Sequence, residues 1–385
     1  MRVLIIRSSY NIIGGAELSA FDQAVVLKEM GHDPILATNL RSLRERAKSE
    51  GVKTVWFPWI NRGPMRSLRI IVFFLLQPFI YLWAPILALT YRPDVVNPHS
   101  REDQNAFTHT KWLHNKPVIW KDPGDLRIQL EPQNDSWMKR YYRRGQLRAL
   151  KRADHIYLLS KEDQDNLAQI VGNWILDKTS AIPASILYRY YDRDSKNYKP
   201  ESKLIVGTLA RLEENKGLQY LIEAVKQLGC RDDVEYWVIG DGAYKKDLQL
   251  MASSYPCIKF KPYTNNVSEY LNVFDILVHP AEIEGWGRII KEGMYFGLPI
   301  IGSNVGGIAL QIRHNKTGLL FEVGNASELA KHLEKLLDDK HLRRKLGDNA
   351  RFKAEKDGDF LKIVEQEILP IYKQFSNSSA SSTTK

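Results

Sequence analysis

Residues 275–307 constrain the fold more than any other stretch. A short apolar run at 275–278 leads into a loop carrying Glu284, Gly285, Trp286 and Gly287. An apolar, helix-like segment starts near Arg288 and carries Glu292, and Gly297-Leu298-Pro299 ends it before the next apolar run. Strand, glycine-rich turn, helix and strand in that order directs a helix N-terminus at a phosphate group. Glycines at 285 and 287 let backbone N–H groups approach a ligand closely. Glu284 and Glu292, eight positions apart, can face one crevice, and an acceptor-only carboxylate suits paired sugar hydroxyls. The plain alternative makes Glu284 a helix cap and Glu292 a solvated helix residue.

The rest of the chain repeats the strand–helix alternation. Residues 3–6 form a short apolar run, followed by Gly14-Gly15 and a periodic segment to Met30, ended by Gly31. Further strand candidates lie at 34–38, 52–57, 94–97, 117–120 and 155–159, then at 204–207 and 234–239. Strands separated by helical patterns imply α/β units with a parallel sheet. A chain of 385 residues makes two domains the natural expectation. Residues 188–200 are polar, aromatic and aperiodic, which places the linker there and the domains at 1–190 and 200–358. Asp192 and Asp194 flank Arg193 in the spacing of a metal-binding Asp-x-Asp, but no strand precedes them, so no metal is expected. Residues 376–385 read as a disordered tail.

Charge is unevenly placed. Residues 1–200 hold 30 Lys and Arg against 20 Asp and Glu, so they carry the whole net charge of +10. That excess suggests an anionic surface or ligand on the first half. No helix-turn-helix, zinc-finger or RNA-binding signature accompanies it, so nucleic acid is not the expected partner. Residues 70–90 contain no charge and reach the length of a membrane span. Strands on both sides belong to one sheet, which excludes a crossing, and Pro78 and Pro85 interrupt a regular helix. The run reads as a helical hairpin or broken helix in the membrane interface, flanked by Arg62, Arg66, Arg69 and Arg92. Burial between the sheet and its neighbours is the alternative. Residues 138–152 hold seven basic and no acidic residues, with Tyr141, Tyr142, Leu147 and Leu150 interspersed. They form either an anionic-lipid-binding amphipathic helix or a solvated helix face. An anionic membrane surface, reached through residues 62–92 and 138–152, is the expected partner. Cys230 and Cys257 suggest no ligand cluster and no disulfide framework, and with no secretory signal at the start the expected place is cytoplasmic, at the inner face of the cell membrane.

Glu-x7-Glu, in the context Glu-Gly-Trp-Gly…Glu-Gly-Met…Gly-Leu-Pro-Ile…Gly-Gly, resembles the donor-site signature of the family 4 retaining glycosyltransferases. The resemblance covers most of the chain and is sharpest over residues 204–320. It implies an α/β fold of GT-B architecture, two Rossmann-like domains facing across an interdomain cleft, with a helix at 360–375 returning to the first domain. It also implies transfer of a sugar from a UDP- or GDP-linked donor to a glycan or lipid-linked acceptor, with no cofactor and no metal.

The same resemblance assigns residues. Arg211 and Lys216 match an Arg…Lys-Gly segment, with Ala210 where glycine is usual, and would bind the diphosphate, Arg as a fork and Lys as a point charge. Glu284 would hold the donor sugar's hydroxyls and Glu292 the ribose, beside Gly285, Trp286 and Gly287. Gly14 and Gly15, read alone as a phosphate turn or an ordinary one, match a loop bordering diphosphate and acceptor. His99 follows a strand that in relatives ends in two histidines, with Asn97 in place of the first. Relatives carry a further His, which contacts the transferred sugar's outer hydroxymethyl group, where this chain has Pro123. Either Asp122 or Asp125 makes its contact, or the donor sugar differs at that carbon, or the enzyme is impaired. A non-catalytic nucleotide-sugar-binding or scaffold protein of the same fold is therefore the alternative function.

Overall fold

The computed structural model describes residues 1–9, 13–58, 68–122, 124, 126, 130, 137–193 and 203–381. Met1–Ala184 together with Phe360–Lys385 form one compact unit and Ser185–Asp359 a second. Both are parallel sheets covered by helices, so their strands read as unbroken apolar runs rather than alternating ones.

In the first unit, β1 (Arg2–Ile6), β2 (Asp33–Ala37), β3 (Lys53–Val55) and β4 (Val95–Pro98) lie in the order β3-β2-β1-β4. β5 (Ile119–Lys121), β6 (His155–Leu158) and β7 (Thr179–Ala181) follow as β5-β6-β7, and a parallel bridge between Val96 and Val118 aligns the two sets. β7 escapes sequence reading because Thr-Ser-Ala is neither apolar nor alternating. In the second unit, β8 (Leu204–Leu209), β9 (Val234–Ile239), β10 (Ile258–Lys261), β11 (Ile276–His279), β12 (Ile300–Ser303) and β13 (Leu319–Phe321) lie in the order β10-β9-β8-β11-β12-β13. Each unit thus has a point where strand order reverses, between β1 and β4 and between β8 and β11. Ligands of such sheets bind at the carboxyl ends of the strands at that point.

Several expectations change. Residues 70–90 belong to one helix, Leu68–Tyr91, with both prolines inside it, rather than to a hairpin or broken helix. Pro78 and Pro85 are seven residues apart, about two turns, so their missing N–H groups fall on the same side, and the helix runs on through both. Its inner face, Ile80, Ala84, Leu87 and Ala88, is part of the core of the unit. Phe79, Leu82, Ile86 and Leu89 project outward, Leu82 being 65% exposed. Among the described residues no helix is long and apolar enough to cross a membrane. Arg62 and Arg66 lie outside the described residues, as do 194–200.

The stretch expected to be a linker is instead docked on the second unit as far as Arg193. Tyr188 stacks on Tyr295 at 4.1 Å, and its backbone N–H donates to Asp359 Oδ2 at 2.9 Å. At the other end, the Leu369–Ser381 helix continues past the expected start of a disordered tail at 376. Tyr372 anchors it: fully buried, its hydroxyl accepts from Gln23 Nε2 at 2.5 Å, and Phe375 packs on His155. With those turns docked, adding a few Ser and Asn residues costs little, since helix propagation is cheap once nucleated. Residues 382–385 lie outside the described residues.

Cys230 and Cys257 are disulfide-bonded, against expectation. The parallel pairing of β9 with β10 brings the segments leading into both strands together, a proximity that sequence spacing does not reveal. Closing a loop of 27 residues stabilises a fold by about 3–4 kcal/mol in the chain-entropy account. Reduction is therefore expected to lower the thermal midpoint of the second unit. A calorimetric scan with and without reductant checks this, and coincident scans would mean that the bond adds nothing.

Candidate active site

Because β8 and β11 pair in parallel, the loops after them emerge side by side, although Lys216 and Glu284 are 68 residues apart. The β8 loop closes in a short 3-10 turn, Glu214–Lys216, followed by Gly217 at φ +67°. A Cβ on Gly217 would sit 1.9 Å from the Pro280 carbonyl oxygen, so only glycine permits this approach. The Glu282 N–H donates to the Asn215 carbonyl at 2.9 Å and ties the two loops together. Lys216 Nζ then reaches Glu284 Oε2 at 2.8 Å, and His279 Nε2, at the end of β11, reaches the same oxygen at 3.0 Å. Burial alone would raise the Glu284 carboxyl, but the His279 hydrogen bond and the charges of His279 and Lys216 outweigh it and hold the group far below the usual carboxylate range. Glu284 Oε1 makes no hydrogen bond with a described residue.

The turn that presents Glu284 rests on backbone. Gly307 N–H donates to the Glu284 carbonyl at 3.1 Å, and a Cβ on Gly307 would meet the Gly285 carbonyl oxygen at 2.3 Å. Gln311 Nε2 donates to the carbonyls of Trp286 and Gly307. This close packing accounts for the Gly306-Gly307 pair. Gly287 adopts φ +74° and precedes the Arg288–Tyr295 helix, whose first N–H groups have no partners within the helix. One turn in, buried Glu292 accepts at Oε1 from Tyr191 Oη at 2.5 Å and Arg288 Nε at 2.9 Å. Its Oε2, like Oε1 of Glu284, has no hydrogen bond with a described residue. Arg211 is half exposed, 3.5 Å from Glu213. The structure thus gathers Lys216 and Glu284 tightly, sets Glu292 on the adjoining helix, and leaves Arg211 at the surface.

The first unit has its own loops at the reversal point. After β1, Arg7 donates to Glu17 Oε1 at 2.9 and 2.7 Å, and Gly14 N–H donates to Glu17 Oε2 at 2.9 Å. Gly15 opens the Gly15–Glu29 helix. Buried Asp103 accepts from the Ser8 N–H at 3.0 Å and Ser8 Oγ at 2.6 Å, and burial pushes its carboxyl up to about 6. His99 is buried with Nε2 on Asn97 Oδ1 at 2.7 Å. Burial and the nearby Lys121 and Arg7 charges hold its pKa well below the usual imidazole range, so it is neutral. Asp122 is buried, and its Oδ1 accepts from the Leu126 N–H at 3.2 Å. Asp125 and Pro123 lie outside the described residues. Among the described residues, no group of three or more His, Cys, Asp or Glu is placed to hold a metal.

Sequence reasoning missed His279, Tyr191 and Arg288. His279 and Arg288 stand inside the quoted stretch, and one turn between Arg288 and Glu292 was a readable signal. Tyr191 is 101 residues from its partner and carried none.

Residues 13–183 match the family described as Glycosyltransferase Family 4, and residues 192–353 that described as Glycosyl transferases group 1. An N-acetyl-alpha-D-glucosaminyl L-malate synthase of Bacillus anthracis is 31% identical over 185 residues, covering 46% of this chain and 49% of that protein. A capsular polysaccharide biosynthesis glycosyltransferase, CapM, of Staphylococcus aureus is 25% identical over 46% of this chain and 47% of that one. The matched region thus spans about half the length of these curated relatives. A crystal structure of HepE of Anabaena, in complex with UDP and glucose, superposes with a TM-score of 0.78 at 20% identity, covering 97% of this chain and 100% of that one. Two Rossmann-like parallel sheets, each with its loops at a strand-order reversal, together with these matches over both units, place the chain in the family 4 glycosyltransferases of GT-B fold.

Proposed function

We propose that the protein transfers a sugar, with retention of configuration and without a metal, from a UDP- or GDP-linked donor to a glycan or lipid-linked acceptor at an anionic membrane surface. One observation carries this reading: Lys216 meets Glu284 in the loops after β8 and β11 and Glu292 stands one turn into the helix that follows, each glutamate with one oxygen held by the protein and the other without a hydrogen bond from a described residue. Lys216 has three N–H donors and gives one to Glu284, leaving two for phosphate oxygens. Arg211 adds a second cation. In transfer, the bond from the anomeric carbon to the diphosphate oxygen breaks, and the leaving diphosphate gains a negative charge that these cations stabilise. The acceptor hydroxyl oxygen bonds to the same carbon from the face the diphosphate leaves, which keeps the configuration, and its proton passes to the departing phosphate oxygen. Glu284, with its carboxyl held so low, is a poor base and serves as an acceptor for the sugar's hydroxyls. Glu292 Oε2 takes the ribose.

The membrane part rests on the first unit. The outward row Phe79, Leu82, Ile86 and Leu89 belongs to a helix packed against Arg101–His109, and the Trp137–Arg152 helix packs against the same neighbour. Arg140, Arg144, Arg148, Lys151 and Arg152 of that helix are exposed. Trp112, 78% exposed, stands on a short helix touching the apolar one. An apolar row with a basic helix nearby suits peripheral docking to anionic lipid, at the inner face of the cell membrane. For the donor and acceptor, CapM is named for capsular polysaccharide biosynthesis and HepE was crystallised with UDP and glucose, which supports a UDP-linked donor and a glycan acceptor here.

Release of nucleoside diphosphate from a panel of UDP- and GDP-sugars tests the reaction. Arg211→Ala and Glu292→Ala are each expected to lower turnover by about tenfold or more, the scale of a lost hydrogen bond to a charged group. Unchanged turnover in both variants would refute the assignment.

A further inference from the structure

We infer that Tyr191 is a positioning residue of the nucleotide site: with Arg288 it holds one oxygen of Glu292 so that the other is presented to the ribose hydroxyls. This rests on the reading of Glu292 as the ribose ligand. The Glu292 carboxylate is held asymmetrically. Tyr191 Oη donates to Glu292 Oε1 at 2.5 Å and Arg288 Nε donates to that same oxygen at 2.9 Å, while Oε2 receives no hydrogen bond from a described residue. Two donors fill the two lone pairs of Oε1. Arg288 also donates to the Tyr191 hydroxyl, from Nη2 at 2.9 Å, which fixes the hydroxyl as donor toward the carboxylate. The three groups form a closed ring, and all three side chains are largely buried. Only Oε2, with two lone pairs, is left to accept from a vicinal diol.

Tyr191 is aimed by its surroundings. Residues 185–193 are strapped along the second unit: Ser185 Oγ donates to the Gly358 carbonyl at 3.0 Å, and Tyr188 stacks on Tyr295. Arg193 donates to the Tyr295 carbonyl at 3.2 Å and lies over its ring at 4.2 Å. The Tyr191 ring stands edge-on to Tyr295 and Phe296, each at 6.3 Å. The ring is thus fixed by packing that a phenylalanine keeps, and the hydroxyl alone serves the carboxylate.

The test is calorimetric affinity for UDP and GDP and for their 2′-deoxy analogues, on the wild type, Tyr191→Phe and Glu292→Ala, with melting temperatures alongside. The wild type is expected to prefer the ribonucleotide. Tyr191→Phe is expected to weaken ribonucleotide binding about tenfold, the scale of one hydrogen bond to a charged group, while deoxy binding and melting temperature hold. A wild-type preference intact in Tyr191→Phe but lost in Glu292→Ala would overturn the inference alone. Tighter ribonucleotide binding by Tyr191→Phe would also overturn it, by showing that the hydroxyl occupies the ribose's place. A preference that survives in Glu292→Ala, or is absent from the wild type, would overturn the ribose assignment beneath it.

Discussion

Lys216→Ala is expected to lower kcat for sugar transfer about 10²–10³-fold, the usual loss when one preorganised donor at a site of developing charge is removed. The amine is nearly buried and lies 2.8 Å from Glu284 Oε2, so it is already in place when the diphosphate departs. Arg211, half exposed beside Glu213, is not positioned to replace it. The change also leaves Glu284 with His279 as its remaining partner, and burial then lifts its carboxyl from where both groups had held it. A carboxyl depressed in the folded state contributes stability that is present above the unfolded value, near 4.5, and is lost only as pH falls through the lower folded value. In the wild type this group therefore stays ionised from pH 5 to 9 and adds no acid limb to the rate profile. Steady-state kinetics at pH 7, with circular dichroism to confirm the fold, makes the comparison. A kcat within threefold of the wild type would remove Lys216 from the mechanism.

The second large effect concerns the membrane. Leu82→Asp with Ile86→Asp is expected to lower partition onto anionic vesicles by at least about 10²-fold. Each aliphatic side chain transferred from water to an apolar phase is worth about 1.5–3 kcal/mol, and both face outward from the Leu68–Tyr91 helix. The inner face, Ile80, Ala84, Leu87 and Ala88, is untouched, so melting should move little. Binding of the wild type should also fall with added salt, because each exposed basic residue of the Trp137–Arg152 helix near the surface adds about 1 kcal/mol of attraction. Co-sedimentation with vesicles checks both. Equal sedimentation of the variant and the wild type would detach the apolar row from membrane docking.

Much of this was readable in the residues. The βαβ alternation and the turn at Glu284 were legible because buried parallel strands appear as uninterrupted apolar runs and because glycines mark where backbone meets backbone. Polar closures were not. Asn97, His99, Gln23, Tyr157 and Tyr372 form one buried hydrogen-bonded cluster spanning 349 residues of sequence, and no local pattern announces it. For the same reason nothing in the sequence around His99 announces that its Nε2 is bonded to buried Asn97. The Leu68–Tyr91 helix misled differently: two prolines argue for a break, but with their two-turn spacing the helix runs on through both. Tyr191 was hidden inside a stretch whose polar, aromatic composition resembles a linker, although its aromatics pack on Tyr295 and Phe296.

Titrating the protein with UDP and with GDP in a calorimeter shows whether the ends of β8 and β11 hold a nucleoside diphosphate. One of the two should bind at one site per chain, and Lys216→Ala should weaken it about tenfold or more while the protein stays folded. If neither binds, or if Lys216→Ala and Glu292→Ala both bind as the wild type does, the site does not serve a nucleotide-sugar donor.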